Sequence, residues 1–137
     1  MATRSYIGIR NLDASVDYIY CHFDGYPSHN GVILTQHYDT YDKVKKLLEL
    51  GDLSILGNEI GEKQDFDDRS TRNNNWCLAY GRDRNEPNTE AKNGDFGKLI
   101  SDQSVDYVYV FDGDYWEGFD TYSETSVKLY NIEQQKS

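Results

Sequence analysis

The sequence predicts an α+β domain, an antiparallel β-sheet with two or three short helices packed on one side. Three features carry that prediction. Alternating apolar and polar text opens and closes the chain, at 5–23 and 105–132. Between them, YDKVKKLLELGD sets its apolar residues at helical spacing. Glycine, asparagine and aspartate cluster where those periods stop, so each element is short and bounded by turns. The 137 residues are read as one domain, 1–137, large enough to bury a core without a disulfide framework.

SYIGIR at 5–10 alternates and runs into the turn residues Asn11-Leu12-Asp13. SVDYIYCHF at 15–23 places Val16, Tyr18, Tyr20 and His22 on one face and Asp17, Ile19, Cys21 and Phe23 on the other. The two stretches read as an antiparallel hairpin over 4–23. Asp24-Gly25 ends the second strand, Pro27 forbids its continuation, and Asn30 is the cap expected for a short helix near 31–38. The next helix has Val44, Leu47 and Leu48 inward, Asp42 either as its cap or near its positive end, and Gly51 where a terminating glycine belongs. DLSILGNEIG at 52–61 reads as an irregular segment or one turn against the sheet.

EKQDFDDRSTRNNN at 62–75 is poor in core formers and is expected as an exposed loop, followed by a buried strand over WCLAY at 76–80. GRDRNEPNTEAKNGD at 81–95 has almost nothing to bury and reads as a mobile loop or linker. Phe96, Leu99 and Ile100 make a helical turn. Strands near 105–111, 114–119 and 125–132 follow as a meander, the first two joined through Asp112-Gly113.

The formal net charge is −10, from 24 acids and 14 bases. Direct binding of free nucleic acid, which depends on Lys and Arg neutralising phosphates, is therefore not expected, and a basic protein is the better partner. Twelve tyrosines add stiff contact area with polar tips, although tyrosine also simply favours strands. No apolar run approaches the ~20 residues of a membrane span, and the first residues lack a signal-peptide pattern. The expected location is the cytoplasm of a host cell, with Cys21 and Cys77 reduced.

Two stretches nearly repeat one another: VDYIYCHFDG at 16–25 and VDYVYVFDG at 105–113. Helices follow the first and a hairpin follows the second, which favours strand text used twice over a duplicated unit. Only the first carries Cys21-His22. Neighbours on a strand point to opposite faces, so His22 cannot readily serve Cys21, and only His29 or His37 could. For zinc, Cys21, His29 and His37 lack the close paired-ligand spacing of structural sites. These residues are expected to build turn and core, and neither a cofactor nor a metal is expected. There is no phosphate-binding glycine motif, and the acidic run Asp65, Asp67 and Asp68 does not match an EF-hand loop.

From 99 to 127 there is no Lys or Arg. The same stretch holds Asp102, Asp106, Asp112, Asp114, Glu117, Asp120 and Glu124 together with Tyr107, Tyr109, Tyr115, Trp116, Phe119 and Tyr122. Acids spaced along hairpin strands with aromatics between them make a surface suited to a groove built for a phosphate backbone. Asp106, Asp112, Asp114, Tyr115, Trp116, Glu117, Asp120 and Tyr122 are the expected partner-binding residues. The plainer account is an acidic protein with its acids in turns and on its solvent face.

VDYIYCHFDGYPSHNG followed by YDKVKKLLELGDLSIL resembles small phage and prophage proteins over roughly the first 60 residues. The resemblance implies a counter-defence role: a non-enzymatic anti-CRISPR or anti-restriction inhibitor that occupies the nucleic-acid channel of a bacterial effector, a CRISPR effector first among them. The alternative is a small-ligand protein, either a sponge for a signalling nucleotide or an enzyme using Cys21 and nearby histidines. A homodimer is left open.

Overall fold

A computed structural model describes residues 2–127 and 129. The opening text forms the expected hairpin, β1 (Ser5–Arg10) and β2 (Ser15–Cys21), paired antiparallel with Ile7 opposite Ile19. The C-terminal meander forms β6 (Tyr107–Phe111), β7 (Trp116–Asp120) and β8 (Thr125–Val127), each antiparallel to the next. Of the strand expected over 125–132, residues 128 and 130–132 lie outside the described residues. The two hairpins join through β1 and β6, which run parallel with Ser5 opposite Tyr107. That parallel pair had no signature in the text.

The free edge of β2 is shared by two short strands. β3 (Leu53–Ile55) pairs with its end in parallel, Cys21 opposite Leu53. β5 (Lys92–Asp95) pairs antiparallel with its beginning, Ser15 opposite Asp95. With β4 (Leu78–Ala79) beyond β3, the sheet has eight strands in the order β4-β3-β2-β1-β6-β7-β8, with β5 off that path against β2. The fold is α+β and mostly antiparallel, as expected.

Among the described residues four short α-helices complete it: α1 (Val32–His37), α2 (Tyr41–Leu50), α3 (Tyr80–Arg84) and α4 (Phe96–Ile100). α1 and α2 share one face of the sheet, where Leu34, Val44, Leu47 and Leu48 pack on Ile7, Ile19, Leu53, Tyr109 and Phe111. α4 lies on the other face, with Leu99 against Val16, Val105, Val108 and Val110. Strand alternation sends consecutive side chains to these two layers. Fully burying each aliphatic side chain contributes roughly 1.5–3 kcal/mol, so both layers stabilise the sheet.

Several local expectations change. The cap of α2 is Thr40, whose hydroxyl oxygen accepts from the Lys43 amide at 3.3 Å, and Asp42 sits in the first turn. Gly51 does end α2, in a left-handed φ of 82°. Asn30 caps nothing: its side-chain amide turns inward and donates towards the Phe23 carbonyl at 3.4 Å and Cys21 Sγ at 3.5 Å. A π-helical turn, Pro27–Gly31, leads into α1 instead. The irregular segment expected at 52–61 contains β3, and the mobile loop expected at 81–95 contains most of α3 and all of β5. Residues 62–75 are largely surface, but Gln64 is buried and bridges the Cys77 carbonyl and the Asn73 amide.

Candidate functional site

The two near-repeats lie on either side of β1, and they face opposite ways. Tyr18 and Tyr20 of the first pack on the α4 layer, whereas Tyr107 and Tyr109 of the second belong to the α1–α2 layer. Their Phe-Asp-Gly endings also differ, because Asp24 takes the left-handed φ (59°) in one and Gly113 (109°) in the other. One direct bond ties the copies together: the fully buried Tyr109 hydroxyl donates to the Gly25 carbonyl at 2.6 Å. The paired strands of both copies are framework, and the second pins the turn that ends the first.

The Cys-His pair is held inside that scaffold. Cys21 has no exposed surface, and burial pushes its thiol up to about 12. At neutral pH the thiol therefore stays protonated and is a poor nucleophile. His22 points to the other layer, where Nδ1 lies 2.7 Å from the Tyr20 hydroxyl, and burial followed by the charge of Arg4 lowers its pKa. His29 Nδ1 lies 3.0 Å from Asn30 Oδ1, and His37 ends α1. Cys77 is equally buried, its sulfur 3.3 Å from the Gly57 amide and 3.4 Å from the Tyr38 hydroxyl, and burial raises its pKa too. Among the described residues no three His, Cys, Asp or Glu side chains converge as a metal site. We expect both thiols to resist Ellman's reagent in the native protein and to react within seconds in denaturant; fast native labelling of Cys21 would restore it as a reactive group.

The eight expected partner-binding residues fall into four environments. Trp116 departs most from a surface anchor: it is 5% exposed, packs on Phe111 at 5.3 Å between centroids, and donates Nε1–H to the Tyr38 carbonyl at 2.8 Å. Asp112, Asp114 and Tyr115 make the exposed tip of the β6–β7 hairpin. There Asp112 Oδ1 accepts from the Asp114 and Tyr115 amides at 2.9 and 2.8 Å, and the Tyr115 amide leads in holding its carboxyl below the usual range. Glu117 is exposed on β7. Asp106, Asp120 and Tyr122 gather at the opposite end of the hairpin, four residues along β7, or roughly 14 Å, from the tip. The acids therefore lie at both ends of the hairpin, with Glu117 exposed between them.

At this second end the side chains enclose a recess of about 240 Å³, lined by Thr3, Tyr26, Asp106, Tyr107, Asp120 and Tyr122. Backbone chemistry fixes the carboxylates. Asp106 Oδ2 accepts from the Arg4 amide at 3.0 Å, and Asp120 Oδ1 accepts from the Tyr122 amide at 2.8 Å. Tyr107 registers their field: after burial, the charges of Asp120 and Asp106 raise its pKa. Tyr26 and Tyr122 are exposed at the rim, and no Lys or Arg side chain lines the recess among the described residues. Thr3 and Tyr26 were not legible as members, because they arrive only through the Gly25 amide bonding the Thr3 carbonyl at 2.8 Å.

A different polar centre lies where a linker was expected. Asp83 is buried and its carboxylate accepts from the Ala79 amide at 2.7 Å, the Gln64 amide at 2.8 Å and Arg82 Nε at 2.9 Å. Arg82 also donates to the Ile60 and Cys77 carbonyls, each at 2.8 Å. Every oxygen and nitrogen of this pair that carries strong charge has a partner, which marks a clamp on the 60–79 segment rather than an open site. A wider groove of about 450 Å³ between α2 and β5 mixes Lys45 and Lys92 with Asp17, Glu49 and Glu90 and so favours neither charge.

No family model, characterised protein or solved structure matches the chain. Among the described residues no helix is long and apolar enough to cross a membrane.

Proposed function

We propose that the protein is a non-enzymatic inhibitor of the phage counter-defence kind, which binds a basic, nucleic-acid-handling host protein, a CRISPR effector first among them, at its acidic sheet end. The observation that carries this reading is the recess in which Asp106 and Asp120 face three tyrosines with no cation among its described lining residues. Two carboxylates beside aromatic faces suit one guanidinium or ammonium group, through charge-assisted hydrogen bonds and cation–π attraction. The net charge of −10 would steer such a partner inward. The likeness of the first 60 residues to phage proteins supplies the setting, and the buried, protonated Cys21 speaks against the enzymatic alternative.

The test is the double variant Asp106→Asn/Asp120→Asn. Asparagine keeps a carbonyl oxygen for the Arg4 and Tyr122 amides, so the fold is preserved while the charge is lost. Using an arginine-rich peptide as probe, and then purified CRISPR effectors, we expect association to slow about tenfold at low salt and the difference to shrink near 0.5 M, about where screening is nearly complete. In the effector assays, wild type should block target-DNA binding and the variant should not. Equal association rates for both proteins at low salt would sink the proposal.

A further inference from the structure

We infer that the protein carries a second binding site, for a free nucleoside monophosphate, in the pocket between the end of β2 and the 3-10 turn Arg69–Thr71. The pocket has a volume of about 280 Å³ and is lined by Phe23, Ser54, Phe66, Asp67, Arg69 and Arg72 among others. It is a locally cationic recess on a strongly acidic protein. Arg69 opens the 3-10 turn and Arg72 follows it in extended backbone, and both line the pocket. Asp68 fixes that turn, its Oδ1 accepting from the Ser70 amide at 3.0 Å and hydroxyl at 2.6 Å.

The two arginines are differently prepared. Arg72 is anchored by Nη2 donating to the Phe66 carbonyl at 2.9 Å, and its Nε is the one buried side-chain N or O atom among the described residues without a hydrogen-bond partner. Arg69 is exposed and makes no side-chain hydrogen bond or ion pair among the described residues. Arg69 thus has a free guanidinium fork to offer phosphate oxygens, with the positive charge of Arg72 on the same pocket wall.

The walls specify the rest of the ligand. Phe23 is 42% exposed, an apolar ring left open to solvent beside the pocket. Phe66 is braced from behind, with Tyr80 at 5.5 Å between centroids and the Arg84 guanidinium 4.7 Å from its ring centre. Two such rings offer stacking to a planar base. Asp67 opposes a bare anion but accepts from an exocyclic amine, which adenine, guanine and cytosine carry. The volume lies at the lower edge of small-molecule sites, about 300 Å³ upward, which suits one base and one phosphate. Each further phosphate would meet the repulsion of the net charge of −10, so a strand is disfavoured.

The experiment is calorimetric titration of the intact protein with AMP, adenosine, inorganic phosphate and a 5′-phosphorylated oligonucleotide. AMP should bind below about 1 mM, with each half-molecule and the oligonucleotide at least about tenfold weaker. Arg69→Gln and Phe23→Ala should each weaken AMP about tenfold while leaving the thermal midpoint unchanged, since neither side chain is buried. Asp106→Asn/Asp120→Asn should bind AMP as wild type, which separates this site from the acidic recess. Absence of AMP binding, an unaltered affinity in Arg69→Gln, or tighter binding of the oligonucleotide than of AMP would each overturn the inference.

Discussion

Replacing Asp83 with alanine is expected to cost about 3–5 kcal/mol, the range found when one partner of a buried ion pair is removed. The carboxylate satisfies two backbone amides and Arg82 at once, and its side chain has no exposed surface. Without it the Ala79 and Gln64 amides lose their acceptor and Arg82 keeps a partly buried charge with only carbonyls to meet it. A domain of this size has only about 5–15 kcal/mol in total, so the variant should be largely destabilised and its urea midpoint far lower. Asp83→Asn retains an acceptor and should lose less. A midpoint within error of wild type for Asp83→Ala would mean that the clamp contributes nothing.

Trp116→Ala is expected to cost about 3–5 kcal/mol as well, the range for emptying an aromatic site in a core. The indole fills space against Phe111 and its N–H satisfies the Tyr38 carbonyl, joining β7 to the end of α1. Tyr115→Ala, one residue away at an exposed tip, should change stability by less than about 0.5 kcal/mol. Denaturant melts of the two variants separate core from surface in a stretch where sequence treated both aromatics alike. Equal and small losses would return Trp116 to the surface.

Why the text spoke for some elements and not others can be traced residue by residue. β1, β2 and α2 declared themselves because Ile7, Ile9 and Ile19 alternate and Val44, Leu47 and Leu48 recur at helical spacing. Asp112-Gly113 gave away the β6–β7 turn for the same local reason. β5 has the sequence Lys-Asn-Gly-Asp and offers no apolar signal; it is a strand because the edge of β2 accepts its backbone, which side-chain pattern cannot reveal. α3 hid its one buried side chain as an aspartate, a residue type seldom buried unless paired. Trp116 and Tyr115 were indistinguishable until alternation was anchored by register with Phe111. The acidic recess was half visible, since Asp106, Asp120 and Tyr122 are near in sequence, whereas Thr3 and Tyr26 come from the other end of the chain.

The position of β1 sets the order in which the molecule can assemble. Its antiparallel partner follows after a four-residue turn, but its parallel partner begins 102 positions after the residue it faces, Ser5 with Tyr107. A nascent chain emerging at about 5–20 residues per second would have its first hairpin out many seconds before β6 is made. During that interval β1 exposes one unpaired edge and the layer that Tyr109 and Phe111 later cover. Pairings so distant in sequence close slowly, so closure of the β1–β6 seam is expected to be the slow step of folding. Substitutions there, such as Val108→Ala, should slow refolding, whereas those in β8 should chiefly hasten unfolding.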